Sequence, residues 1–214
     1  MIRRVLRGVL RRAIGEPEAP PPRPSPRPPP EPEEEEPNLE VEGPELARWV
    51  KEGAVHLLDV REPLELEGGF ADGSWLLPMN QVPDHLAELP RDGRLVVICA
   101  AGVRSYGVAH YLREQGFPEA WSLAGGVGAY LATGAECVFT PRDAEFRLLA
   151  PVRVRPEVAA ARGLESPPDG LPGVVQRVDA GPEGHRYAVR APGEARSTLI
   201  EGLAATELIR IGRR

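Results

Sequence analysis

The chain of 214 residues carries two cysteines, Cys99 and Cys137, and one of them lies where it could do chemistry. The run is Leu95-Val96-Val97-Ile98-Cys99-Ala100-Ala101-Gly102-Val103-Arg104-Ser105. Apolar residues end at Cys99, four small or aliphatic residues follow, and then comes Arg104. The spacing predicts a buried strand, Leu95–Cys99, that hands the cysteine to a tight loop opening a helix over Ser105–Gln115, which Gly116 closes. A helix N-terminus gathers unpaired N–H groups and the positive end of the dipole. A cysteine held there is a thiolate and a nucleophile at neutral pH. Gly102 gives the loop its tight curvature. Arg104 fits a first helical turn poorly by charge unless an anion sits beside it, so its expected role is to fix the loop or to face an anionic substrate. The plainer alternative for Cys99 is a small apolar filler at a strand end.

Other chemistries find little support. Two cysteines are too few for a disulfide framework and have no metal-ligand spacing, and His56, His85, His110 and His185 are scattered. Neither a metal nor a cofactor is expected. Cys137 reads as a small apolar filler, Tyr106 and Trp75 as core, and His110 as a surface or packing residue.

Elements on either side must position Cys99. Pro44–Glu52 reads as a helix with Pro44 in its first turn. Val55–Val60 reads as a strand, apolar until Asp59. Trp75–Leu77 is a second strand, Val82–Leu89 a short helix, Ala120–Leu123 a further strand and Val127–Ala132 a last helix, with turns at Gly68-Gly69, Asp72-Gly73 and Gly125-Gly126. Strands alternating with helices imply an α/β unit with a mainly parallel sheet. Ligands of such sheets sit at the carboxyl ends of strands, where Cys99 and Asp59 both fall. From about Pro141 the pattern changes. Phe146–Val154, Gly173–Val178, Tyr187–Arg190, Ser197–Ile200 and Leu208–Ile211 read as short strands with turns between them, a small antiparallel β-barrel-like domain over 141–214, and Pro156–Gly163 reads as one helical turn.

The N-terminal part is of another kind. In residues 1–15, Ile2, Val5, Leu6, Val9, Leu10, Ala13 and Ile14 follow helical spacing, with Arg3, Arg4, Arg7, Arg11 and Arg12 mostly on the other face. This is a basic amphipathic helix suited to a membrane surface or an acidic protein. Eleven of the 25 prolines fall between Pro17 and Pro37, followed or joined by Glu33–Glu36, so residues 16–38 read as a disordered linker. Residues 38–140 hold 7 basic and 15 acidic side chains, which argues against nucleic acid as a partner of that segment. No apolar run reaches the roughly 18–20 residues of a membrane span, and no secretory leader is evident. The expected location is cytoplasmic, with peripheral membrane attachment open to residues 1–15.

Residues 39 to about 135 resemble the rhodanese-like (sulfurtransferase) family, which implies a rhodanese-like domain over 39–137. Asp59-Val60-Arg61-Glu62-Pro63 is similar to its Asp-Val-Arg-Glu signature. Phe70-Ala71-Asp72-Gly73-Ser74 corresponds to a stretch in which the family usually opens with His. Cys99-x-x-Gly102-x-Arg104-Ser105 resembles its active-site loop, and Leu123-Ala124-Gly125-Gly126-x-x-x-Tyr130 its closing Gly-Gly motif, with Tyr130 where Trp is common. The C-terminal segment loosely resembles SH3-like barrels. The resemblance implies a parallel sheet flanked by helices, with transfer of sulfane sulfur from a persulfide or thiosulfate-type donor to a thiol acceptor through a Cys99 persulfide. Cys99 is then the catalytic residue, and Ala100, Ala101, Gly102, Val103, Arg104 and Ser105 form the substrate loop. Asp59 and Arg61 support the site. Cysteine phosphatases of related fold place five residues between Cys and Arg, and the four found here suit sulfur better than phosphate. Thiosulfate-using members often carry basic residues where Ala100 and Ala101 stand, so a persulfide donor is expected over thiosulfate. The alternative is a non-catalytic binding or persulfide-sensing module.

Overall fold

The structure, a computed structural model, describes residues 38–53, 55–193 and 196–211. The amphipathic helix expected over 1–15 and the linker up to residue 37 lie outside the described residues. Chain order gives β1 (Glu40–Val41), α1 (Gly43–Glu52), β2 (Val55–Asp59), α2 (Pro63–Leu66), β3 (Phe70–Ala71), β4 (Ser74–Leu76), a 3₁₀ segment (Met79–His85), β5 (Arg94–Ile98), α3 (Val103–Glu114), β6 (Ala120–Leu123), α4 (Gly126–Leu131) and β7 (Cys137–Val138). Then follow β8 (Pro151–Val154), α5 (Pro156–Ala161), β9 (Leu171–Asp179), β10 (Arg186–Ala191), β11 (Thr198–Ala204), a 3₁₀ turn (Ala205–Glu207) and β12 (Leu208–Arg210).

The first sheet has the order β1-β6-β5-β2-β4, and every pairing in it is parallel. Its strand Arg94–Ile98 is a nearly continuous apolar run and its neighbour Val55–Asp59 is buried from Leu57 onward, because both faces of the sheet are covered there. The pleat sends alternate residues to opposite sides. Leu58, Val97 and Cys99 pack with Val108, Ala109 and Leu112 of α3. Leu57, Val96 and Ile98 pack with Leu46 and Trp49 of α1 and with Tyr130 of α4. The pairing Asp59↔Ile98 brings the carboxyl ends of β2 and β5 level, so Asp59 and Cys99 emerge from the same end of the sheet.

The C-terminal residues form a separate antiparallel sheet of order β11-β10-β9-β8-β12, which returns the last strand to the side of the first. Its core is continuous with the first part of the chain: Leu66, Phe70 and Leu76 pack in one cluster with Phe146, Val152, Val175, Tyr187 and Leu203. The seam is also polar. The buried Gln176 amide accepts the Leu76 N–H at 2.7 Å and donates to the Leu76 carbonyl at 3.1 Å, and Arg177 pairs with Asp72 at 2.9 Å.

Three expectations meet a different structure. Residues 146–149 do not extend the strand to Phe146: Phe146 and Leu148 bury as side chains of a loop, and Leu149 adopts φ 61° while its N–H bonds the Val175 carbonyl. The alternation there serves a buried turn. The helix expected over Val82–Leu89 is the 3₁₀ segment Met79–His85, because Pro83 inside it cannot donate a helical hydrogen bond. The helix after the loop begins at Val103, two residues earlier than expected, so Arg104 belongs to its first turn. The strands β1, β3 and β7, each two residues long, are too short to leave a periodic signal.

Candidate functional site

Cys99 follows the last residue of β5, and the loop Ala100–Gly102 turns at once into α3. The turn needs Gly102, whose φ is 97°, a conformation costly for a side-chain-bearing residue. Its N–H points back and donates to Cys99 Sγ at 3.1 Å, and the Ser105 N–H donates to the same sulfur at 3.4 Å. These are groups that an α-helix leaves unpaired at its start, here gathered on one sulfur. Cys99 is only 1% exposed. Burial pushes its thiol up, but the Ser105 hydroxyl and the N–H groups of Ser105, Ala101 and Gly102 outweigh burial and hold it below the usual cysteine value. The arrangement favours the thiolate more than an ordinary cysteine environment does.

A second line of contacts lies beneath the sulfur. Ser105 Oγ is 3.4 Å from Cys99 Sγ, donates to the Gly102 carbonyl at 2.9 Å, and lies 2.9 Å from Ser122 Oγ on β6. Ser105 and Ser122 are both fully buried. The closing Gly-Gly turn backs the loop. Val127 N–H donates to the Cys99 carbonyl at 2.8 Å. A Cβ on Gly126, whose φ is 69°, would collide with the Ala100 carbonyl oxygen and lie 2.6 Å from the Ala101 nitrogen.

Asp59 and Arg61 do not reach the sulfur through any hydrogen bond; they bond each other. Arg61 Nη2 meets Asp59 Oδ2 at 2.6 Å and Nε meets Oδ1 at 2.9 Å, with Asp59 0% and Arg61 4% exposed. The same guanidinium donates to the carbonyls of Glu65 (3.3 Å) and Gly69 (3.0 Å), so the pair pins α2 and the turn after it. That fixes Glu65, which the sequence reading did not single out. Its carboxylate takes Arg104 in a two-pronged ion pair, Nη1–Oε2 at 2.8 Å and Nη2–Oε1 at 2.5 Å. The Arg104 hydrogen bond, opposed by some desolvation, lowers the Glu65 pKa from 4.5 to about 2, and Glu65 in turn holds Arg104 more firmly charged. Arg104 is therefore engaged by a carboxylate and is not held free toward the loop mouth. Ala100, Ala101 and Val103 are exposed around that mouth.

Signals for the residues that were missed differ in strength. Glu62-Pro63-Leu64-Glu65 has the spacing of a helix start with an acidic third residue, and Glu65 does accept the Glu62 N–H at 3.0 Å. Ser122 left no signal, being one small residue in a four-residue buried strand. Cys137 is half-buried on β7 opposite Ala71, with its Sγ 2.5 Å from where a Gly69 Cβ would lie. Among the described residues, no group of three His, Cys, Asp or Glu side chains is placed to hold a metal, and no helix is long and apolar enough to cross a membrane.

The rhodanese-like domain model matches residues 43–133, the segment that contains β2, β4, β5 and β6, the cysteine loop and the Gly-Gly turn. A sulfurtransferase of Allochromatium vinosum is 36% identical over 84 residues, covering 39% of this chain and 78% of that protein. The thiosulfate sulfurtransferase GlpE of Pseudomonas aeruginosa strain LESB58 is 36% identical over 83 residues, covering 39% of this chain and 76% of GlpE. Among solved structures, a rhodanese-related protein from Thermoplasma volcanium is 30% identical, with a TM-score of 0.43, covering 46% of this chain and 96% of that one. The chain belongs to the rhodanese-like family, whose sulfurtransferases are its relatives over this segment.

Proposed function

We propose that this protein is a sulfurtransferase that carries sulfane sulfur on Cys99. The observation that carries the reading is the convergence of the Gly102 and Ser105 N–H groups on Cys99 Sγ. The thiolate attacks the outer sulfur of a persulfide, R–S–SH. The Sγ–S bond forms as the donor S–S bond breaks, and R–S⁻ leaves with the bonding pair. A thiolate acceptor then attacks the outer sulfur on Cys99, takes it as a new persulfide and returns the Cys99 thiolate. The two displacements balance without an external oxidant or reductant. The loop N–H groups stabilise anionic sulfur throughout, as preorganised donors do.

The donor is a protein or organic persulfide in preference to thiosulfate. The name of GlpE makes thiosulfate the donor of that relative. Here the charge that would hold a dianion is taken up by Glu65, and Ala100 and Ala101 add none. The test is intact-protein mass spectrometry after incubation with glutathione persulfide. A gain of about 32 Da, one sulfur atom, is expected on the wild type; it is discharged by added thiol and absent in Cys99→Ser. A wild type that takes up no sulfur overturns the reading in favour of a non-catalytic binding module.

A further inference from the structure

Resting on that reading of Cys99, we infer that Ser122 on β6 is a positioning residue that tunes the nucleophile through Ser105. The observation is a buried line of hydroxyls, Ser122 Oγ to Ser105 Oγ at 2.9 Å and Ser105 Oγ to Cys99 Sγ at 3.4 Å, with the Gly102 carbonyl beside both.

Proton counting shows why two hydroxyls are needed. Ser105 has one hydroxyl proton and two places to put it. With Cys99 as a thiol, the S–H donates to Ser105 Oγ and Ser105 donates to the Gly102 carbonyl at 2.9 Å. When Cys99 ionises, the sulfur stops donating and becomes an acceptor, so the Ser105 proton turns toward it. The Gly102 carbonyl then loses that donor and keeps the Tyr106 N–H at 3.0 Å. Ser105 Oγ loses the S–H it was accepting. Ser122, fully buried, is 2.9 Å from Ser105 Oγ and 3.5 Å from the Gly102 oxygen, so its proton serves either acceptor in turn. Donation from Ser122 also polarises the Ser105 hydroxyl and strengthens its bond to the anionic sulfur. The strand itself fixes Ser122: its N–H bonds the Leu39 carbonyl at 2.6 Å, and it pairs with Val97 of β5 and Glu40 of β1. Arg104 on α3 couples electrostatically to Cys99 and is already paired with Glu65 on α2, while the Arg61 guanidinium is taken up by Asp59 and the carbonyls of Glu65 and Gly69. The groups that hydrogen-bond the sulfur are neutral, and Ser122 acts on it at second hand through Ser105.

The test is the pH–rate profile of iodoacetamide alkylation at Cys99, in the full chain carrying Cys137→Ser so that one thiol reports. Ser122→Ala is expected to move the midpoint upward by roughly half a pH unit, a roughly threefold slower reaction below it. The limiting rate at high pH rises by less than about twofold, because a less stabilised thiolate is the better nucleophile, whereas a displaced loop would lower it. In a Ser105→Ala background the same substitution should have no further effect, since its path runs through that hydroxyl. An unmoved midpoint, a lowered limiting rate or an effect that adds in full to Ser105→Ala overturns the inference. The titration reads ionisation and not sulfur transfer, so its result stands apart from the mass measurement at Cys99.

Discussion

Replacing Glu65 by glutamine should make the protein less stable and better at using thiosulfate. Glutamine keeps an oxygen for the Glu62 N–H, so the start of α2 survives while the negative charge goes. The ion pair lowers the Glu65 pKa from 4.5 to about 2. Taken at face value that is about 3 kcal/mol, at about 1.36 kcal/mol per unit. The two side chains are 32% and 34% exposed, however, and water screens them, which leaves about 1 kcal/mol. A carboxylate with a depressed pKa stabilises the fold above its unfolded value, near 4.5, and that contribution fades as the pH falls through about 2. The variant should therefore melt about 2–4 °C below wild type at pH 7 and approach it as the pH falls toward 2. Meanwhile Arg104 is released beside an electrostatically sparse loop. One charge-assisted contact to a dianion, at the low end of about 1.5 kcal/mol, corresponds to roughly a tenfold higher kcat/KM for thiosulfate. Initial rates of thiocyanate formation at varied thiosulfate, with cyanide saturating, measure it. A kcat/KM for thiosulfate equal to or below that of wild type would refute the argument that Glu65 withholds Arg104 from the donor.

Two further outcomes follow from the same geometry. Gly126→Ala should cost at least about 2 kcal/mol and slow alkylation of Cys99, because the new methyl group meets the Ala100 carbonyl and the Ala101 nitrogen at a positive φ; urea unfolding and iodoacetamide kinetics report the two effects, and wild-type values in both contradict the close approach. Asp59→Asn leaves the buried Arg61 guanidinium without its counter-charge and should cost about 3–5 kcal/mol by urea midpoint, whereas a loss under about 1 kcal/mol would show that the pair does not brace α2.

How much of this was legible before folding depended on the range of each interaction. The strand Arg94–Ile98 announces itself as an apolar run because Leu95–Ile98 are buried on both faces, and Val55–Asp59 does so through Leu57 and Leu58, His56 being exposed. The loop that gathers donors on Cys99 follows from local rules: an apolar run, a cysteine, a glycine two residues past the alanine pair's start, and a helical pattern. The partner of Arg104 does not follow from them. Glu65 lies 39 positions earlier, and its approach depends on Arg61 holding the Glu65 and Gly69 carbonyls. Ser122 reaches Ser105 only because β6 lies next to β5 in the sheet, a fact of topology that a four-residue strand cannot encode alone. In the C-terminal part the strands were recognisable by turns, yet Phe146 and Leu148 mimic a strand while filling the core from a loop.

The Gln176 contact has a consequence for self-association. A parallel sheet with two open edges offers rows of unpaired N–H and C=O groups to any strand that drifts past, including those of another copy. One edge here is β1, two residues long, too short to template a partner. The other is β4, and its outward N–H and C=O at Leu76 are both taken by one glutamine amide from the second sheet. A side chain thus occupies the place of the next strand and ends the ladder. The C-terminal sheet acts in this respect as a stopper, keeping the edge of the sheet that carries Cys99 from growing.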